Sequence, residues 1–111
     1  MLRNNAADSC WVEVKSVTLS RETGLAEFPD SVTVRGAKHL DELAIMAQNG
    51  DRAVMLFLMQ RDDCDRFAVA GDIDPHYAAR FEAAKAAGVE VLVYQCDMSP
   101  SEIAVNGRVA F

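Results

Sequence analysis

Ala53-Val54-Met55-Leu56-Phe57-Leu58-Met59 is an unbroken run of seven apolar residues. A run of that length, apolar at every position, reads as a strand covered on both faces, as in the middle of a parallel sheet. The segments on either side read as helices. Upstream, Thr33 can cap a helix over 34–49 that Gly50 stops, with Leu40, Leu43, Ala44 and Ala47 as its buried stripe. Downstream, Asp74-Pro75 pairs an N-cap with proline at the first helical position. Tyr77, Phe81 and Ala84 line one face of that second helix, and Gly88 ends it.

Further outward the pattern returns to strands. Ser9–Leu19 and Val89–Cys96 are rich in Val and other strand-forming residues. The order is β–α–β–α–β, which predicts parallel neighbours joined by helical crossovers. Arg21–Asp30 reads as a loop with a short extended piece at Leu25–Phe28, and Gln60–Asp74 as a long connection. Asn106-Gly107, between Ile103–Val105 and Arg108–Phe111, predicts a type I′ hairpin at the C-terminus. The fold class is therefore α/β: a mixed sheet with helices on its faces, plus a C-terminal β-hairpin.

The chain's 111 residues make one domain. No apolar run is long enough to span a bilayer, and Met1–Asn5 lacks the apolar core of a signal peptide. These features predict a cytoplasmic protein with no membrane partner. Cys10, Cys64 and Cys96 are far apart and form no C-x-x-C pair, so reduced buried thiols are expected. The net charge of −6 argues against a broad nucleic-acid-binding surface and leaves room only for a local basic patch.

Alternation along the first strand puts Trp11, Glu13, Lys15, Val17 and Leu19 on one face. If helices cover that face, Glu13 and Lys15 lie among apolar neighbours, where charges are costly unless paired or used. Their Cα atoms should be roughly 6–7 Å apart. A carboxylate there can hold a hard cation such as Mg²⁺, and an ammonium beside it can stabilise charge on a phosphate. An ordinary strand ion pair fits the same three residues, since E-x-K alone is a weak motif.

Arg35, Lys38 and His39 gather at the start of the first helix, where the macrodipole is already positive. The cluster makes sense if an anion binds there, with Gly36 letting a phosphate approach the backbone. A solvated turn pairing with Asp30, Asp41 or Glu42 fits as well. His76, Arg61 and the acids Asp62, Asp63 and Asp65 read as surface groups, and Trp11 and Tyr77 as core.

Taken in order, Val12-Glu13-Val14-Lys15-Ser16-Val17-Thr18-Leu19, Phe28-Pro29-Asp30-Ser31-Val32-Thr33, Arg35-Gly36, Lys38-His39-Leu40 and Glu42-Leu43 have a familiar look. With Arg52-Ala53-Val54, Asp72-Ile73-Asp74, Tyr77-Ala78 and Gly88-Val89-Glu90-Val91-Leu92, they resemble the C-terminal part of the SfsA family, the sugar fermentation stimulation proteins. The resemblance covers nearly the whole chain. It implies a restriction-endonuclease-like PD-(D/E)xK core, with Glu13 and Lys15 as the E-x-K half of the motif and Glu13 as a Mg²⁺ ligand. It also implies DNA as the partner, contacted through Arg35, Lys38 and His39, and a part in regulating sugar utilisation. Two other roles fit the resemblance: a Mg²⁺-dependent nuclease when full-length, or an inactive interaction domain. The family's upstream Ser-Arg-x-Asp-Phe stretch and its N-terminal OB-like domain have no counterpart here. The expectation is thus a single nuclease-like domain, 1–111, lacking its first elements. It would be inactive alone, with Asp8 a weak substitute for the upstream acid and with a bare sheet edge that favours a homodimer.

Overall fold

The computed structural model describes residues 2–3, 10–98 and 103–108, with side chains described from 10 to 96. Its elements in chain order are β1 (Leu2–Arg3), β2 (Cys10–Val17), β3 (Leu19–Glu22), β4 (Leu25–Phe28), α1 (Val34–Gln48), β5 (Arg52–Met59), β6 (Arg66–Val69), α2 (Pro75–Ala86), β7 (Glu90–Met98) and β8 (Ile103–Arg108). The apolar run is the central strand. β5 pairs in parallel with β2 on one side and with β7 on the other. β1 and β8 add antiparallel edges, giving the order β1-β2-β5-β7-β8. The α/β mixed sheet read from the sequence is therefore present.

Register assigns the faces. Glu13 lies beside Met55, Lys15 beside Phe57 and Val17 beside Met59, with Val91 and Val93 continuing the row on β7. Both helices pack on this face. Ala37, Leu40 and Leu43 of α1 and Tyr77, Phe81 and Ala84 of α2 share one buried cluster with Met55, Phe57, Met59, Val17 and Val93. Phe57 is its hub, with the rings of Phe28, Phe67 and Phe81 4.6 to 6.0 Å away. The opposite face is less covered than the apolar run predicts: Leu56 and Leu58 are half-buried and Val14 is 37% exposed. Helical cover therefore reaches one face of β5 only.

Four expectations change. The first strand ends at Val17, not Leu19. The carbonyl of Val17 accepts from Gln60 N–H, that of Thr18 accepts from the Arg61 guanidinium, and the chain leaves the main sheet. Leu19–Glu22 instead begins a second sheet, β3-β4-β6. Its third strand, β6, lies inside the long connection and pairs in parallel with β4, burying Phe67. The hairpin turn at Asn106-Gly107 is not formed. β8 runs straight through those residues, with Gly107 opposite Gln95 and Val105 opposite Cys96, so Asn106 is the extra residue of a bulge. The C-terminal antiparallel pair is β7 with β8. Finally, β2's outer edge is not bare along its whole length, because Leu2 pairs with Val12 and Arg3 with Trp11.

The caps behave as the sequence indicates, with one addition. Thr33 Oγ1 accepts from Gly36 N–H to start α1, and Asp74 Oδ1 accepts from Tyr77 N–H to start α2. Asp74 also reaches across: its Oδ2 accepts from Thr33 N–H at 2.9 Å. One buried carboxylate thus ties the N-termini of both helices together. The two backbone bonds, from Thr33 first and Tyr77 second, hold its pKa below the ordinary aspartate value. Glu27, also buried, is held low by the two-pronged hydrogen bond from Arg21, which in turn spans to Asp72.

A depressed carboxyl pKa contributes stability that is whole above the unfolded value, about 4, and is lost as pH falls through the folded value. Urea unfolding at pH 7 and pH 3 should show wild type losing stability on acidification. Asp74→Asn should be weaker than wild type at pH 7 and should lose less between the two pH values.

Candidate functional site

The first strand and the first helix meet at three polar side chains. β2 supplies Glu13 and Lys15 from its helix-covered face, and α1 supplies His39 from the flank of its buried stripe. Lys15 Nζ lies 3.4 Å from Glu13 Oε1 and 3.0 Å from His39 Nδ1. His39 Nδ1 lies 3.2 Å from the same Glu13 oxygen. The side chains retain 10% (Glu13), 17% (Lys15) and 17% (His39) of their exposure. The cluster sits at the margin of the core, beside the buried Met55 and Phe57 of β5. Water screens such a cluster poorly, so its charges interact more strongly than a surface pair would.

Tyr77 stands behind this cluster. It is fully buried, and its hydroxyl has no hydrogen-bond partner among the described residues. Burial, then the charges of Asp74 and Glu13, push its pKa up. Its ring packs edge-on to Phe28 and lies over Gly36. Gly36 is therefore not an open phosphate cradle. A Cβ there would come within 2.9 Å of the Thr33 side chain and 3.2 Å of Tyr77, so glycine lets the start of α1 pack against the aromatic ring.

The basic cluster divides. His39 turns inward to Glu13 and Lys15, whereas Arg35 and Lys38 are exposed and form no ion pair with a described residue. Asp41, one of the acids expected to neutralise them, instead binds Arg80 of α2 at 2.6 Å. Arg61 is held by Asp63, whose carboxyl it lowers to about 2, so that pair stays apart from the cluster. All three cysteines are free and buried. Asp8 lies outside the described residues.

As a metal site the cluster is incomplete. Glu13 is one hard oxygen donor, with Oε1 facing Lys15 and His39 and Oε2 buried. No group of three His, Cys, Asp or Glu converges among the described residues. Hard divalent ions take six or more oxygen ligands, so Glu13 fits as one ligand of a larger shell. Sequence reasoning did not foresee the inward turn of His39. Its spacing, three residues after Gly36 and one before Leu40, places it beside the buried stripe and was the available signal.

Residues 1–102 match the family model described as the SfsA sugar fermentation stimulation protein RE domain. The chain belongs to the SfsA family. It is 67% identical over 97 residues to the sugar fermentation stimulation protein homolog of Ruegeria sp. strain TM1040, covering 87% of this chain and 42% of that one. It is 58% identical over 109 residues to the homolog of Roseobacter denitrificans, covering 98% of this chain and 46% of that one. It is also similar to a solved structure, that of Pyrococcus furiosus SfsA in complex with Ca²⁺. The TM-score there is 0.84 at 34% identity, over 92% of this chain and 44% of that one. The SfsA chain thus spans less than half the length of these relatives. Among the described residues, no helix is long and apolar enough to cross a membrane.

Removing one partner of a poorly hydrated ion pair leaves the other charge uncompensated. Lys15→Met should destabilise this SfsA domain by about 1–3 kcal/mol, and Glu13→Gln added to it should recover part of that loss. A double-mutant cycle by chemical denaturation measures the coupling. Independent, additive losses would mean the pair does not interact. Tyr77→Phe removes an unpaired hydroxyl and should leave stability unchanged or raise it by up to about 1 kcal/mol.

Proposed function

We propose that this domain binds duplex DNA and provides the Glu13–Lys15 half of a metal-dependent phosphodiester site. The observation that carries the reading is the placement of a carboxylate and an ammonium side by side on the helix-covered face of β2, 3.4 Å apart and nearly enclosed. Such a pair is costly as mere structure and useful where a cation and a phosphate must meet. Arg35 and Lys38 support the same reading. They are exposed cations at the positive end of α1 with no ion pair among the described residues, and phosphate is the anion that such an arrangement favours.

In this proposal Glu13 is a ligand for Mg²⁺, or for Ca²⁺, the ion in complex with which the Pyrococcus relative was solved. The bound ion supplies Lewis-acid polarisation of the phosphate and lowers the pKa of water. Lys15 donates to the oxygen on which negative charge grows. Water's oxygen bonds to phosphorus, one ester P–O bond breaks, and the water proton ends on the departing alkoxide. The remaining ligands, a second carboxylate among them, come from outside the described residues. Without them the domain binds DNA but does not cut it, and that state suits a regulator of sugar utilisation as the family's name implies.

The logarithm of DNA affinity should fall linearly with the logarithm of salt concentration. Arg35→Ala and Lys38→Ala should each flatten that slope by about one. Fluorescence anisotropy with a labelled duplex measures this, and absence of binding at low salt would remove the DNA reading. In an SfsA protein of full family length, cleavage should require Mg²⁺ or Mn²⁺ and vanish on replacing the acid equivalent to Glu13 by Gln. Undiminished cleavage would remove the nuclease assignment.

A further inference from the structure

We infer that His39 is a positioning residue: its Nδ1 accepts a hydrogen bond from Lys15, which holds the ammonium against Glu13 and locks the imidazole as the Nε2–H tautomer. Its place in the chemistry rests on the phosphodiester reading above; the tautomer lock does not.

The argument begins with what each group can do. A lysine ammonium has three donors and no acceptor, and a neutral imidazole has one donor nitrogen and one acceptor nitrogen. Lys15 Nζ and His39 Nδ1 are 3.0 Å apart. A proton on Nδ1 would face the ammonium protons at that distance, so the contact requires Nδ1 to carry the lone pair. The proton then sits on Nε2. The 3.2 Å separation of Nδ1 from Glu13 Oε1 has the opposite demand, because a carboxylate only accepts. Both demands cannot be met at one nitrogen. Lys15 resolves the conflict, since it can donate to Nδ1 at 3.0 Å while its charge pairs with Glu13 at 3.4 Å.

Two consequences follow. The flexible lysine stem is fixed at its tip by two acceptors, one from its own strand and one from α1, so the ammonium has a set position before any ligand arrives. The ring's other nitrogen becomes a donor. His39 lies one residue after the exposed Lys38 and keeps 17% of its side-chain exposure. Holding the amine ready is a form of preorganisation, which lowers the ordering cost when a phosphate binds. Helix α1 therefore does more than cover the sheet: through His39 it sets where the reactive amine points.

The test uses the ¹⁵N-labelled chain with no metal and no DNA. Long-range ¹H–¹⁵N correlation spectra at neutral pH report which imidazole nitrogen carries the proton. Wild type should show His39 as the Nε2–H tautomer. In Lys15→Met the acceptor left facing Nδ1 is Glu13, so the proton should move to Nδ1; in Lys15→Met with Glu13→Leu, which leaves no acceptor there, that shift should be abolished. A wild-type ring protonated at Nδ1, or one whose tautomer ignores Lys15→Met, would overturn the inference. His39→Asn, which keeps an acceptor near the Nδ1 position, should hold the Lys15 ammonium resonance protected from exchange, and His39→Leu should lose that protection. Equal protection in both variants would also overturn it. Failure of DNA binding or cleavage would remove the proposed function and leave these spectra unchanged.

Discussion

A carboxylate on the covered face of a sheet is the constraint around which this domain is arranged. Glu13 sits beside Met55 on the central strand's flank, in a row that continues through Phe57, Met59 and Val17. Desolvating an isolated carboxylate there would cost several kcal/mol. It is tolerated because an amine from the same strand and an imidazole from the crossing helix close around one of its oxygens. The helix must therefore lie where His39 can reach, which fixes its seat on β2 and β5 as firmly as Leu40 and Leu43 do.

That seat depends in turn on the ends of the helices. Gly36 lets α1 approach Tyr77 of α2, and Asp74 bonds the N-terminal amides of both. The two positive helix ends thus start from one buried anion, close to the cluster. Arg35 and Lys38 add positive charge at the same end without described acidic partners. In a chain of net charge −6, this local cationic margin is the surface on which the proposed DNA contact rests.

Glu13 is one oxygen of the several that the proposed hard ion would need, and no group of three His, Cys, Asp or Glu converges among the described residues. The second sheet, β3-β4-β6, stands to one side, bound to the rest by Phe28, Phe67 and the Arg21–Glu27–Asp72 bridge.

Strong local signals determined much of this protein from sequence alone. The seven-residue apolar run marked the central strand, although helices cover only one of its faces. Thr33, Gly50, Asp74-Pro75 and Gly88 marked the helices because caps and stops are chemistry of a few adjacent residues. Alternation put Glu13 and Lys15 on one face for the same reason. Features made by distant residues were not legible. β6 has four residues, too few for a period, and it exists because β4 lies alongside. The Asn106-Gly107 pair favours a turn locally, yet pairing with β7 keeps it in a strand with a bulge. The split of Arg35 and Lys38 from His39 needed the helix's rotation against β2, which packing of Ala37, Leu40 and Leu43 decides. Sequence placed an acid and an amine together; only the tertiary structure brought an imidazole to them, because that contact spans 24 residues and is set by how a helix rolls on a sheet.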